Sequence, residues 1–247
     1  MPEKTLRTSE PAPFPGGVTF EPADFFALSE AMCANPEANA RRLTTRRKLL
    51  TLGKEAARDL GLECRTSLHH PTAFNGNRVR RLWAYLTRSK GKKRELKSVL
   101  GGELGKDLDA AYRNAYLCLA IEAEALETSL RIHPDAWYDG QNLKNKIERT
   151  REGLSAWRGE LNRLTGFLLR MDDWKGEWRC GELTTERLEE FLSYYVPGEH
   201  RLTVERRWPA ATVDASMPAT LKAELARLAP LLAFTAWSGE NSHLFSR

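Results

Sequence analysis

One run of residues constrains the fold more than any other part of this sequence. It extends from Ala115 to Ile132 (AYLCLAIEAEALETSLRI); it is apolar at first, then alternates between apolar and polar residues, and Pro134 follows it. Alternation with a period of two is typical of a strand, and a proline ends the hydrogen-bond ladder of a sheet. We therefore predict two adjacent strands, or one long bent strand, in the centre of a sheet. The alternative is a helix, which the propensities of alanine, leucine and glutamate favour.

Other periodic segments predict helices and further strands around this run. The predicted helices cover residues 20–28, 36–60, 93–100, 139–164 with a break at Gly153, 184–195, and 219–232 with an interruption near Pro230. The other predicted strands cover residues 79–87, a hairpin within 167–178, and 201–208. This order of elements predicts an α+β fold, with a mostly antiparallel sheet and helices packed on one face. We expect residues 1–19 to form a flexible N-terminal lead-in, because prolines and glycines interrupt them, and residues 20–247 to form a single domain.

Length and cysteine content indicate a cytoplasmic protein. The chain has 247 residues and only four cysteines, none of which lies within metal-ligand spacing of another. So few cysteines in a chain of this size argue against a disulfide framework and favour free thiols in a reducing compartment. The N-terminus has no apolar segment of the kind found in secretory signals, and no stretch approaches the roughly 20 apolar residues that span a bilayer. We therefore expect a cytoplasmic protein without a membrane partner.

Positive charge is concentrated in two stretches of the sequence, residues 41–48 and residues 78–97. Together they hold fourteen basic residues and one acidic residue, a charge of +13, so that the rest of the chain must carry −8 to give the net charge of +5. Cations that meet a phosphate backbone release its counterions and thereby drive binding. If the two stretches share one face, they predict a surface for nucleic acid.

The preferred hypothesis is a non-enzymatic accessory protein that uses this basic face to bind a nucleic acid backbone or an acidic protein partner. The alternative for such charge runs is a solvated face with no partner. The sequence leaves the oligomeric state open. The predicted contact residues are Arg41, Arg42, Arg46, Arg47, Lys48, Arg88, Lys90, Lys92, Lys93 and Arg94.

The corner at Ser129–Lys146 (SLRIHPDAWYDGQNLKNK) supports an alternative hypothesis, a hydrolase or nuclease. A strand that ends at Pro134 presents polar side chains at its end, where a cleft can form. A structural interpretation competes with this one, because aspartates at a helix start accept hydrogen bonds from free N–H groups and Gly140 allows a tight bend. The candidate catalytic residues are His69, His70, His133, Asp135 and Asp139.

Motifs for most other chemistries are absent from the sequence. Three histidines, His69, His70 and His133, could converge on a metal, but their spacing does not demand one, so we expect neither a metal nor a cofactor. The segment GGELGK at residues 101–106 lacks the spacing of a phosphate-binding loop. The nucleophile-elbow pattern GxSxG, the zinc-protease pattern HExxH and the pattern CxxC do not occur.

One segment resembles a known family. The residues from Arg81 to Gly101 (RLWAYLTRSKGKKRELKSVLG) resemble the strand signature R-I-Y-R-D-x-R-F-S-x-D-K-x-P-Y-K of a family of uncharacterised bacterial α+β domains. The matching residues are Arg81, Trp83, Ser89, Lys90 and Lys92. The acidic residue and the Pro-Tyr pair of the signature are missing here. The resemblance implies a sheet with helices and carries no active-site residue across.

Overall fold

The structure is a computed structural model, and it describes residues 14, 17–67, 78–172, 174 and 176–245. The α-helices within these residues are α1 (Pro22–Phe26), α2 (Asn39–Asp59), α3 (Lys90–Leu104), α4 (Trp137–Arg149), α5 (Gly153–Asn162), α6 (Thr185–Tyr194) and α7 (Met217–Thr235). The strands are β1 (Glu63–Ser67), β2 (Arg81–Thr87), β3 (Tyr116–Glu122), β4 (Ala125–Ile132), β5 (Leu168–Met171), β6 (Trp178–Arg179) and β7 (Leu202–Pro209).

All seven described strands form one antiparallel sheet. Their order across the sheet is β1-β2-β3-β4-β7-β5-β6. The central pair is the hairpin of β3 and β4, in which Leu119 lies opposite Thr128. The prediction of two adjacent strands in the run that ends before Pro134 is therefore confirmed, and the helical alternative is wrong. Pairing with neighbours on both sides decides the matter, because sheet hydrogen bonds and burial outweigh the helix propensity of alanine and glutamate.

One face of the sheet carries the helices and the main hydrophobic core. Leu82, Ala84 and Leu86 of β2 alternate onto this face, and Leu117 and Leu119 of β3 lie on the same side. Helices α2 and α7 pack against the sheet here. The α+β prediction, with helices on one face of a mostly antiparallel sheet, is confirmed.

The opposite face of the sheet carries a separate aromatic and polar cluster. Trp83 and Tyr85 alternate with the core residues of β2 and are buried together with Tyr116 and Cys118 of β3. The rings of Trp83 and Tyr85 are stacked with centroids 6.1 Å apart, and Tyr85 meets Tyr116 edge-on at 5.0 Å. Both sides of the central strands are therefore buried, which explains why the β3 sequence is a nearly continuous apolar run.

Helix α3 begins earlier than the sequence predicted. The sequence pattern predicted a start at residue 93, but Lys90 is the first residue of the helix and Ser89 is its N-cap, with Ser89 Oγ accepting from Lys92 N at 3.4 Å. Serine is a favoured N-cap residue, so Ser89 is the start signal that the prediction overlooked. The backbone leaves helical geometry at Gly101, where φ is +82°, so the predicted end after residue 100 is a kink within the helix.

The remaining boundaries agree with the sequence pattern, with two exceptions. The predicted break between residues 139 and 164 separates α4 from α5. Strand β1 was not predicted, and α7 continues through Pro230 where an interruption was expected. All four cysteines are free thiols. No helix within the described residues has both the length and the apolar character needed to cross a membrane.

Candidate functional site

Four basic residues lie along one side of α3. Lys90, Lys93, Arg94 and Lys97 recur at intervals of three and four residues, which places them on one helical face. They line a cavity of about 490 Å³ together with the segment that follows the helix, Gly105, Lys106, Leu108 and Asp109. We call this space the cationic cavity. Among the described residues, five basic side chains and one carboxylate line it.

Lys93 is the buried member of this set. The residue is 4% exposed, and its Nζ makes no hydrogen bond to any described residue. The nearest carboxylate oxygen is Glu63 Oε2, at 3.9 Å. Burial lowers the pKa of Lys93, and the positive charges of Arg65 and Arg88 add to this effect while Glu63 and Asp109 oppose it. A buried ammonium group without a hydrogen-bond acceptor is costly, so an anion at this position would stabilise it.

Glu63 fixes the position of α3 relative to the sheet. Its Oε1 accepts a hydrogen bond from the backbone N–H of Lys90 at 2.6 Å, which satisfies one of the free donors at the helix start. Because Glu63 is the first residue of β1, this contact joins the edge strand to the cationic cavity. The sequence analysis missed Glu63, and the only signal that could have found it is the short polar alternation of β1.

Three cations of the first basic stretch, residues 41–48, form hydrogen bonds and ion pairs within the protein. The buried Asp24 accepts from Arg41 Nε at 2.8 Å and from Lys48 Nζ at 2.8 Å, so α1 is held against α2. Arg42 is buried and donates to the backbone carbonyl oxygens of residues 32, 33 and 35, at distances of 2.8 to 3.1 Å. Arg41, Arg42 and Lys48 are therefore partnered within the protein.

The two basic stretches contact opposite ends of strand β1. Arg46 Nε donates to Thr66 Oγ1 at 3.0 Å, near the end of the strand, whereas Glu63 at its beginning contacts α3. Three residues of a strand span about 10 Å. Arg47 is exposed on α2 and does not line the cationic cavity. Of the ten predicted contact residues, the structure brings Lys90, Lys93 and Arg94 together there.

Arg88 and Asp139, a predicted phosphate contact and a candidate catalytic acid, form one buried pair. Arg88 Nη2 lies 2.5 Å from both carboxylate oxygens of Asp139. Asp139 also accepts from the backbone N–H groups of Ala115, at 2.6 Å, and Trp237, at 2.8 Å. The sequence analysis expected the Asp139 carboxylate to accept hydrogen bonds from free N–H groups at the start of the helix. In the structure, Asp139 instead joins three distant segments. Lys92, which is exposed, lines a second cavity together with Arg88.

His133 and Asp135 lie together at the end of β4. His133 is 4% exposed, and its Nδ1 accepts from the backbone N–H of Asp135 at 3.1 Å. Asp135 is exposed, with Oδ2 3.7 Å from the same nitrogen. Burial lowers the pKa of His133, so the ring is neutral at physiological pH. The candidates His69 and His70 lie outside the described residues, among which no cluster of three or more His, Cys, Asp or Glu side chains could hold a metal.

The sequence analysis also missed a charged network on the sheet face opposite the helices. Glu127 Oε1 accepts from Ser129 Oγ at 2.7 Å and from Arg131 Nη2 at 2.6 Å, and its Oε2 contacts Arg81 Nη2. Burial by itself raises the pKa of Glu127, but Arg131 and Arg81 outweigh it and lower the pKa to about 2. Glu205 joins the network through Arg131 Nη2 at 3.3 Å. The polar alternation of β4 is the signal that could have predicted it.

The Trp83 ring lies against two cations of this network, and burial disfavours the reactive thiolate of the nearby Cys118. The guanidinium of Arg81 lies 4.0 Å from the centroid of Trp83, and that of Arg131 lies 5.0 Å from it. Burial raises the pKa of the neighbouring Cys118 thiol to about 12. A thiol that stays protonated at neutral pH is a poor nucleophile. The charged groups of this network bind one another, so the cationic cavity is the better candidate for binding.

Comparison with known proteins adds no further assignment. No family model matches this chain, and no curated protein matches it at a significant level. The resemblance of residues 81–101 to a bacterial domain family therefore stays a prediction.

Proposed function

We propose that this protein binds the phosphate backbone of nucleic acid through the cationic cavity of α3. The observation that carries the proposal is the charge around one space: five basic side chains and one carboxylate line it, and Lys93 is buried there without a hydrogen bond to a described residue. Most charge runs in proteins are solvated faces whose cations pair with carboxylates of the same chain. This cavity differs because cations outnumber carboxylates among the described residues that line it.

The spacing of the exposed cations fits a nucleic acid strand. Lys90, Arg94 and Lys97 are exposed and extend over seven residues of helix, or about 10 Å. A strand of duplex DNA carries one charge per roughly 3.4 Å of helix axis, so the row faces about three phosphates. An acidic protein has no such regular repeat of charge, which is why nucleic acid is the favoured partner.

The cavity lining also predicts binding without sequence preference. The described residues that line it are lysine, arginine, glycine, leucine and aspartate, and none of these has an aromatic ring on which a base could stack. Contacts to phosphate position a protein on nucleic acid but carry no sequence information. Affinity should therefore depend on salt and hardly on sequence.

The proposal is tested by charge reversal with a matched control. The variant Arg94→Glu/Lys97→Glu removes two cavity cations, and Arg47→Glu/Arg58→Glu makes the same change in net charge on α2, away from the cavity. Fluorescence anisotropy with labelled duplex and single-stranded DNA should show affinity at least about tenfold lower for the cavity variant than for the control. Equal losses in both variants would show that net charge alone drives binding. Polyglutamate that competes as well as DNA would indicate an acidic protein partner instead.

A further inference from the structure

A second cavity lies beside α3 and differs from the first in its chemistry. It has a volume of about 350 Å³, within the range of roughly 300–1,000 Å³ typical of small-molecule sites. Most of its wall is apolar and comes from the end of α2, from α7 and from the residue pair that follows α7. The main apolar residues are Leu60, Leu62, Ala229, Leu232, Ala233 and Trp237.

Arg88 supplies the distinctive polar group of this cavity. The residue lines it and is 5% exposed. The five donors of a guanidinium are divided here, because Nη2 contacts Asp139, whereas Nε and Nη1 make no hydrogen bond to any described residue. Three N–H donors of a buried cation therefore remain for an acceptor. Such donors cost free energy when they stay unpaired, which favours a ligand that supplies oxygen atoms.

Two further cations and one carboxylate border the same space. Lys92 is exposed, and Lys146 Nζ is held at 2.7 Å from Asn241 Oδ1. The opposing carboxylate is that of Glu240. Because Asp139 already balances Arg88, the two lysines and Glu240 leave the cavity with a positive charge. An apolar wall with a cationic end suits a small amphipathic molecule whose head group is an anion.

We propose that this cavity is a binding site for a small amphipathic anion, with a carboxylate or phosphate head group on Arg88 and an apolar body against α7 and Trp237. The site is separate from the cationic cavity, since neither Arg88 nor Lys92 lines that space. Binding of a small anion here therefore does not depend on nucleic acid binding at the cationic cavity.

The test measures the binding of four probes to the full chain by calorimetry and ligand-observed NMR. The probes are phenylacetate, phenyl phosphate, inorganic phosphate and the neutral 2-phenylethanol. Phenylacetate or phenyl phosphate should bind at least about tenfold more tightly than 2-phenylethanol and than inorganic phosphate. Tighter binding of phenylacetate would identify a carboxylate head group, and tighter binding of phenyl phosphate would identify a phosphate head group. Equal binding of the neutral and anionic probes, or binding of neither anionic probe, would overturn the proposal.

Substitutions at Ala233 and Arg88 test whether the probe binds in this cavity. Ala233→Phe fills the space from α7, and Ala223→Phe is its control on the same helix, exposed and about 15 Å away along the axis. Binding should fall at least about tenfold in the first and stay unchanged in the second. Arg88→Lys keeps a positive charge near Asp139 but removes the guanidinium donors, and it should weaken the anionic probes alone. Retention of full affinity in Ala233→Phe would contradict the proposed site whether or not the Arg88 variant folds.

Discussion

The guanidinium of Arg88 and the carboxylate of Asp139 meet with Nη2 2.5 Å from each carboxylate oxygen, and both residues are buried. This pair joins the end of β2 to α4, and the two backbone hydrogen bonds of Asp139 add the start of β3 and the segment after α7. The sequence suggested a catalytic role for Asp139, but its oxygens are fully occupied by structural contacts.

The first prediction is that Asp139→Asn strongly destabilises the protein. The change leaves the Arg88 guanidinium buried without a counter-ion, and breaking a buried pair in this way costs about 3–5 kcal/mol. Urea unfolding at neutral pH measures the free energy of unfolding. Asp135→Asn is the control, because that side chain is exposed and its replacement should change stability by no more than about 0.5 kcal/mol. Equal stability of the two variants would contradict the structural role of Asp139.

The second prediction concerns acid stability and Glu127. Because the folded state lowers the pKa of Glu127 from its ordinary value of 4.5 to about 2, the carboxylate contributes stability above the ordinary pKa and loses it as the pH falls toward 2. The contribution is on the order of a few kcal/mol, since one pKa unit corresponds to about 1.4 kcal/mol. Urea unfolding at a series of pH values should show that Glu127→Gln is less stable at neutral pH and has a shallower decline in acid.

A matched control keeps this result specific to the network. Glu199→Gln removes an exposed carboxylate that forms no ion pair with any described residue, and its stability curve should run parallel to that of the wild type. A Glu127→Gln curve that is also parallel to the wild type would show that Glu127 is not bound to Arg131 and Arg81 in the folded state.

The third prediction concerns the contact between α2 and the sheet at Gly53. A Cβ atom at this position would lie 2.5 Å from Cys64 Sγ and 3.3 Å from Ala84 Cβ. Helix propensity alone favours Gly53→Ala by up to about 1 kcal/mol, but overpacking of this kind costs about 1–3 kcal/mol. Thermal and urea unfolding should therefore show a less stable variant. Adding Cys64→Ala should restore part of the loss, and a Gly53→Ala protein more stable than the wild type would contradict the close packing.

The fold could be predicted from sequence where a local pattern and its tertiary setting agree. The alternation over residues 79–87 and 201–208 gave two strands correctly, because one face of each strand is apolar. The run from Ala115 to Ile132 was ambiguous, since its composition favours a helix and only pairing with strands distant in sequence, such as β7, makes it a hairpin.

The site was harder to predict because the sequence does not show which group a charged side chain contacts in the folded protein. Arg42 and Lys90 look alike as members of basic stretches, yet one is buried against backbone carbonyls and the other is exposed beside a cavity. Gly140 was interpreted as part of a tight bend, whereas it lies inside α4, where a Cβ atom would come within 2.5 Å of the Tyr195 hydroxyl oxygen. Both outcomes depend on contacts between residues far apart in the sequence.

The central claim is that the five cations of the cationic cavity contact phosphates, and the salt dependence of DNA binding tests it most directly. The logarithm of the binding constant falls with the logarithm of salt concentration at a slope of about −0.9 for each phosphate contacted on duplex DNA. Full engagement of the five cations predicts a slope of about −4.5 for the wild type and one shallower by about 2 for Arg94→Gln/Lys97→Gln. A wild-type slope near zero, or the same slope in both proteins, would contradict the account.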